Sequence, residues 1–332
     1  MAQRVLVTDH AWELDIEREI LAAAGAELIV APPGGEQALA AASAATDAIL
    51  TNWRPVPAAV LEAATSCLAV VRYGVGLDNI DVAAASRLGI VVANVPGFCA
   101  DEVAEHALAL MLALQRRVVR FADQTRSGGW DHLAFGPMRR VRGQVLGIVG
   151  LGRIGRAVAE RAAGLGMTVL GLARPEGSGP APPGVALASL ADLLARSDVL
   201  TLHVPLTDAT RGLIGAAELA AMKPGALLVN TSRGAVVDGG ALVDALRRGH
   251  LGGAALDVLA REPPAPSDPL LALDQVIVTP HAAAFSIEST LELQRRAAAS
   301  VVAVLGGVRP AHVVNPEVLR SPALRATALS AA

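Results

Sequence analysis

Three β-branched runs each lead into a residue able to do chemistry: Arg233 in "LLVNTSRGAVVD", Glu262 in "AALDVLAREPP" and His281 in "VIVTPHAAAFS". A guanidinium holds a carboxylate and polarises a carbonyl, an imidazole hands a proton to a forming alkoxide, and a carboxylate beside an imidazole favours its charged form. Together they suit the reduction of a 2-keto acid, with the hydride carried by a cofactor and no metal or covalent nucleophile required. Taken singly, Arg233 also fits a strand cap, Glu262 a solvated loop and His281 a turn after Pro280. Their value therefore depends on a place for the cofactor.

"VLGIVGLGRIGRAVAERAAGLGMTVLGLA" offers one. Gly150 suits the tight turn after a strand, Gly152 lets backbone approach a pyrophosphate, and Gly155 lets helix and strand pack closely; the helix beginning at Arg153 and Ile154 presents its N-terminus to the anion. With a strand before, a helix after and a second strand behind, the segment reads as a dinucleotide site. An acid for the adenosine ribose is due about 20 residues on, where the chain has Ala173-Arg174. Ala173 accepts no hydrogen bond from a ribose hydroxyl and repels no phosphate. Arg174 can pair with a 2′-phosphate. NADP is therefore expected over NAD.

Short strand-like runs alternate with Ala/Leu-rich helical segments throughout. "RVLVTD", "AELIVA", "DAILTN", "LAVVRYG" and "GIVVANV" form a first series; "VLGIVG", "TVLGLA", "VALAS", "DVLTLHV", "ALLVNTS", "GGAALDV" and "QVIVTPH" form a second. The pattern predicts an α/β fold of two Rossmann-like, doubly wound parallel-sheet domains. Residues 100 to 142 read as a long helix followed by an arm. The helix after His281 and the extended tail make no domain alone, so the C-terminus is expected to return to the first unit. That leaves a discontinuous substrate-binding domain (1–98 and 286–332) and a dinucleotide-binding domain with a dimerisation arm (99–285), with the site expected in the cleft between them.

At 332 residues the chain exceeds what one core serves. A composition 53% hydrophobic and 18% charged, with net charge −3, excludes general disorder and offers no basic field for nucleic acid. "VAEHALALMLAL" is too short for a membrane span, and "MAQRVLVTDH" lacks a signal-like apolar region, so a cytoplasmic protein is expected. Cys67 and Cys99 lack metal or disulfide spacing. Glu105, His106, His203, Asp238 and His250 read as structural. Tyr73, Phe98 and Phe285 fall in segments expected to face the cleft and shape an apolar pocket, with Trp53 and Trp130 bearing on substrate size.

"RYGVGLDNID", "VGLGRIGRAVAERAAGLGMTV", "DVLTLHVPLTDATRGLI", "MKPGALLVNTSRGAVVD", "GAALDVLAREP" and "VTPHAA" resemble, in order, the D-isomer-specific 2-hydroxyacid dehydrogenases. Within that family the chain most resembles glyoxylate/hydroxypyruvate reductase-like members and, through "NVPGFCADEVAEHAL" and "TPHAAAFS", proteins similar to the C-terminal-binding protein corepressors. The resemblance implies Arg233, Glu262 and His281 as catalytic residues and Val75 and Gly76 as backbone donors to the substrate carboxylate. It also implies Val204, Pro205, Thr210, Thr231, Ser232 and Asp257 along the cofactor, and a homodimer. Three departures stand out: Ala173-Arg174 replaces the acid of NAD-using relatives, Ala284 replaces the Trp of the corepressor-like proteins, and Cys99-Ala100 replaces a hydroxyl residue. The expected function is hydride transfer between NAD(P)H and C2 of a small 2-keto or 2-hydroxy acid, D-specific by resemblance. The rival readings are an NAD(H)-sensing corepressor-like regulatory dimer and a dehydrogenase of formate or phosphite.

Overall fold

Continuous apolar runs of four or five residues bury both faces of a strand, which is the signature of a parallel sheet covered by helices on each side. The computed structural model describes residues 2–173 and 180–331. The chain divides into two units, residues 1–98 with 286–332, and residues 99–285.

The first unit opens with β1 (Gln3–Val7), α1 (Asp15–Ala23), β2 (Ala26–Val30), α2 (Glu36–Ser43) and β3 (Ala48–Thr51). It continues through α3 (Ala58–Ala63), β4 (Ala69–Arg72), α4 (Val82–Arg87) and β5 (Val91–Ala93). These strands pair in parallel, in the order β2-β1-β3-β4-β5. Asp81 caps α4 by accepting the Ala84 N–H, satisfying one of the donors a helix start leaves open.

The second unit begins with α5 (Ala100–Gln115) and α6 (Val118–Arg126), after which an extended arm runs to β6 (Val145–Val149). Then come α7 (Arg153–Gly164), β7 (Thr168–Leu172), β8 (Val185–Ala188), α8 (Leu190–Arg196), β9 (Val199–Leu202) and α9 (Ala216–Ala221). β10 (Leu227–Asn230), α10 (Gly239–Arg247), β11 (Gly253–Leu256) and β12 (Val276–Val278) complete it. Its sheet is parallel, ordered β12-β11-β10-β9-β6-β7-β8. The register pairs Leu202 with Asn230, Asn230 with Leu256, and Leu256 with Val278. One step beyond these strands, His203, Thr231, Asp257 and Thr279 therefore stand side by side at the carboxyl edge. Side chains two apart on a strand share a face, so this row lies on the face where Val229 and Ala255 pack with Ala104, Ala107 and Met111 of α5.

The chain then returns to the first unit as α11 (Ile287–Leu305), capped by Ser286, which accepts the Ser289 N–H. α11 is tied to α1 by a buried polar knot: the Glu17 carboxylate, fully buried, accepts from Gln294 Nε2 at 2.9 Å and from Trp12 Nε1 at 3.2 Å. Tyr73 is also fully buried, its ring edge-on to Trp12 at 5.2 Å between centroids. The expectation that Tyr73 lines a pocket is thus corrected: its ring is spent on the interior of the first unit. Phe98 is buried and Phe285 exposed. Among the described residues, no helix is long and apolar enough to cross a membrane.

Candidate active site

Parallel strands deliver all their carboxyl ends to one edge, where chemistry-bearing loops collect. Arg233 follows β10 by three residues and His281 follows β12 by three, whereas Glu262 lies six residues past β11, on a loop rather than at a strand end. The structure brings Glu262 to His281 all the same: His281 Nδ1 and Glu262 Oε2 are 2.7 Å apart. Glu262 Oε1 also accepts the Leu259 N–H at 2.9 Å, which folds the loop back on itself.

Burial works against the charge on Glu262, but the hydrogen bonds from His281 and from the Leu259 N–H outweigh it, helped by the charges of His281 and Arg233. The net result is a carboxyl held below its ordinary value. The pair of Glu262 and His281 is therefore one ionised acceptor and one ring whose Nδ1 carries hydrogen, leaving Nε2 as the position that can gain or lose a proton. A Cβ on Gly234 would run into the Leu259 backbone, so glycine there lets the Arg233 turn lie against the Glu262 loop. Asn230 shapes that turn: its Oδ1 accepts from the Ser232 N–H and Oγ, and its Nδ2 donates to the Arg233 carbonyl at 2.9 Å.

His281 has φ of 53°, a left-handed conformation uncommon for a residue with a Cβ. Its N–H donates to the carbonyl oxygens of Asp257 at 2.8 Å and Thr279 at 3.0 Å. The Asp257 carboxylate accepts from Thr279 Oγ1 at 2.6 Å and from the N–H groups of Ala282 and Ala283, both at 2.9 Å. Asp257 is 1% exposed, so its carboxylate is spent inside the protein, holding the loop that carries His281. His106 of α5 joins this network through Thr279 Oγ1, 3.0 Å from its Nε2.

The three glycines of the turn differ in what a side chain would meet. Gly150 has φ of 101° and faces the His203 carbonyl; a Cβ on Gly155 would run into the Gly150 carbonyl. At Gly152 a Cβ would meet nothing within 4 Å, and φ is an ordinary −74°. Among the described residues no side chain caps α7, so its first N–H groups, from Arg153 and Ile154 onward, remain open to an anion. Thr231 Oγ1 and His203 Nδ1 are buried polar atoms with no partner among the described residues, and burial lowers the His203 ring to a pKa of about 4. An open space at Gly152 over an uncapped helix start fits the pyrophosphate of a dinucleotide.

Other expected positions are placed without such partners. Val204 packs on the core, Pro205 is exposed, and the Thr210 hydroxyl closes its own loop by donating to the Pro205 carbonyl at 2.6 Å. Ala173 is exposed at the end of β7, and Arg174 lies outside the described residues. In the first unit, exposed Val75 and half-buried Gly76 follow β4 in a loop held by Asn94, whose Nδ2 donates to the Val75 carbonyl at 2.9 Å. Cys67 is buried and its thiol is pushed up to about 12, and the described residues hold no group of His, Cys, Asp and Glu fit for a metal. Asn230 and Thr279 carry no signal of their own in the sequence pattern, and His106, read there as structural, joins the network. Aligning the ends of "LVNT", "AALD" and "VIVT" would have flagged Thr279 as an edge neighbour of Asp257.

Residues 108–283 match the family described as D-isomer specific 2-hydroxyacid dehydrogenase, NAD binding domain. The chain is 44% identical to a glyoxylate reductase of Korarchaeum cryptofilum over 273 residues, covering 80% of this chain and 81% of that protein. Among solved structures it is similar to the TT0316 protein of Thermus thermophilus, with a TM-score of 0.86 and 37% identity over 94% of this chain and all of the other. It is similar too to an acyclic imino acid reductase solved with NADPH and D-arginine, with a TM-score of 0.85 and 25% identity over 94% and 100% of the two chains.

Gly152 and Gly155 separate binding from packing. Gly155→Ala is expected to cost about 1–3 kcal/mol in unfolding free energy by overpacking. Gly152→Ala should fold with little loss yet bind NADH and NADPH at least about tenfold more weakly. Calorimetry and dinucleotide titration check both; undiminished binding by Gly152→Ala would rule out close backbone approach there.

Proposed function

The chain belongs to the D-isomer-specific 2-hydroxyacid dehydrogenases and is an NAD(P)-dependent oxidoreductase acting on 2-keto acids, and from that premise we propose that it is a D-specific reductase of small 2-keto acids of the glyoxylate/hydroxypyruvate type, preferring NADPH. The observation that carries this reading is the 2.7 Å contact of His281 Nδ1 with Glu262 Oε2, within reach of the charge of Arg233.

The dinucleotide, when bound, supplies the hydride. Gly150, Gly152 and the start of α7 at Arg153 and Ile154 would hold its pyrophosphate, with Gly155 letting the turn and helix pack closely, and Val204, Pro205, Thr210, Thr231, Ser232 and Asp257 are assigned to its border. Arg233 binds the substrate carboxylate and draws electron density from the C2 carbonyl, and the N–H groups of Val75 and Gly76 are assigned to the substrate by the family resemblance alone. His281 delivers the proton from Nε2 to the oxygen as it becomes an alkoxide, and Glu262, ionised, accepts from Nδ1 and aims the ring. Arg174, with Ala173 in place of an acid, is the reason for NADPH.

Turnover of glyoxylate, hydroxypyruvate, pyruvate and bulkier 2-keto acids with each reduced cofactor tests this reading. Oxidation of NADPH faster than NADH by at least one of them is expected, and His281→Ala should retain cofactor while turnover falls by about two to four orders of magnitude. Consumption of cofactor with none of these acids would favour a regulatory dimer, and turnover of formate or phosphite alone would favour the third reading. Equal kcat/KM with NADH would remove Arg174 from its role.

Glu262 sits below its ordinary value, so its ionised form contributes stability and charge at neutral pH, lost only as pH falls through that lowered value. In Glu262→Gln the His281 ring loses the acceptor that orients it. Turnover at neutral pH should then fall by about tenfold or more with cofactor binding retained, and an unchanged kcat would contradict the assignment.

Self-association is assigned to the arm, which leaves Trp130 90% and Leu133 69% exposed. Light scattering should give twice the chain mass, and the monomer mass would dismiss the assignment.

A further inference from the structure

We propose that His106 is a positioning residue for the catalytic loop, acting through Thr279 and Asp257 on the backbone at 281–283. The inference rests on the reading of His281 as the proton donor and names a residue that supports it from another element.

Proton accounting fixes the direction of the chain of contacts. An ionised carboxylate only accepts, so in the 2.6 Å contact Thr279 Oγ1 spends its one hydrogen on Asp257 Oδ1. His106 Nε2, 3.0 Å from Thr279 Oγ1, must then be the donor. The Nε2–H tautomer follows, and the same nitrogen lies 3.4 Å from Asp257 Oδ1, close enough to share its hydrogen with the carboxylate. Asp257 passes the constraint on at three backbone points: its carboxylate holds the N–H groups of Ala282 and Ala283, and its carbonyl holds that of His281.

The left-handed backbone of His281 makes such support necessary, since a conformation of that kind persists only where its surroundings over-determine it. α5 brings His106 to the site by packing across β10, β11 and β12. The His106 side chain is 26% exposed, whereas Asp257 is buried, so the helix supplies a donor to a carboxylate that solvent barely reaches. An imidazole proton donor set by a neighbouring carboxylate needs its ring aimed, and misplacement by about 1 Å costs on the order of 100-fold in rate.

The test compares His106→Leu, His106→Gln and His106→Asn. Gln can place an amide N–H where Nε2 stands; Asn is too short. With the 2-keto acid that the unaltered enzyme reduces best, His106→Leu and His106→Asn are expected to lower kcat about 10- to 100-fold while KM stays within about threefold, and His106→Gln to recover most of the loss. Hydrogen exchange at the Ala282 and Ala283 amides should quicken about tenfold in the first two variants and return in the third. Unchanged kcat in His106→Leu, or a Gln variant as slow as the Leu variant, would reduce His106 to a packing residue. If the unaltered enzyme reduces no 2-keto acid, the functional reading falls, and the exchange rates alone decide whether His106 sets the loop. Should the Leu variant fail to fold, the contrast of Gln with Asn decides the question in the same way.

Discussion

A buried carboxylate with all its hydrogen bonds inside the protein is the constraint on which this site turns. Asp257 ends β11 on the carboxyl edge of the larger sheet, takes the Thr279 hydroxyl and two backbone N–H groups, and thereby dictates the path of the chain after β12. Nothing in the Thr279–Ala283 segment favours a left-handed residue by itself. His281 adopts one because its N–H is claimed by the carbonyl of Asp257 while the next two N–H groups are claimed by its carboxylate. The parallel register makes this possible, since it sets Asp257 and Thr279 one step beyond paired residues.

The site thereby holds two carboxylates of opposite exposure. Asp257 is 1% exposed, and removing its partners would strand a buried charge, at a cost of about 3–5 kcal/mol. The side chains of His281 and Glu262 are 33% and 36% exposed, where an ion pair is worth about 0–1 kcal/mol. The outer pair therefore adds little to folding, while the inner network fixes the loop that carries His281. Arg233 is held in a third way, by the Asn230 side chain and by a glycine that admits the neighbouring loop.

Alternation of short apolar runs with helical segments was legible because buried parallel strands leave so plain a pattern; the strands of the described residues lie where such runs stand. The meeting of Glu262 with His281 was legible from chemistry, since a carboxylate is the natural partner of an imidazole that donates a proton. The distance of Glu262 from its strand was not, because a loop that folds back on its own Leu259 N–H has no period to read. His106 and Thr279 were hidden for a different reason: their contacts depend on strand register and on which face of α5 meets the sheet. Tyr73 was misread because its neighbours in sequence lie in an exposed loop, whereas its ring turns inward to Trp12.

Both units carry the topology that opens a crevice where strand order reverses, yet they treat it oppositely. In the first unit the reversal falls between β1 and β3, and there Asp9 places its carboxylate on the N–H groups of Asn52 and Trp53 at 3.0 and 2.8 Å. Arg54 then donates to the carbonyls of Thr8, Pro32 and Gly34, closing the edge with the protein's own charges. An anion arriving there would have to displace an internal one. In the second unit the reversal falls between β6 and β9, and the chain sets Gly150 and Gly152 where the first unit spends an Asp. A Cβ at Gly152 would meet only open space, and α7 begins without a side-chain cap. The same architecture can thus serve as a sealed frame in one half and a dinucleotide cradle in the other, the difference lying in whether an internal carboxylate or two glycines follow the first strand.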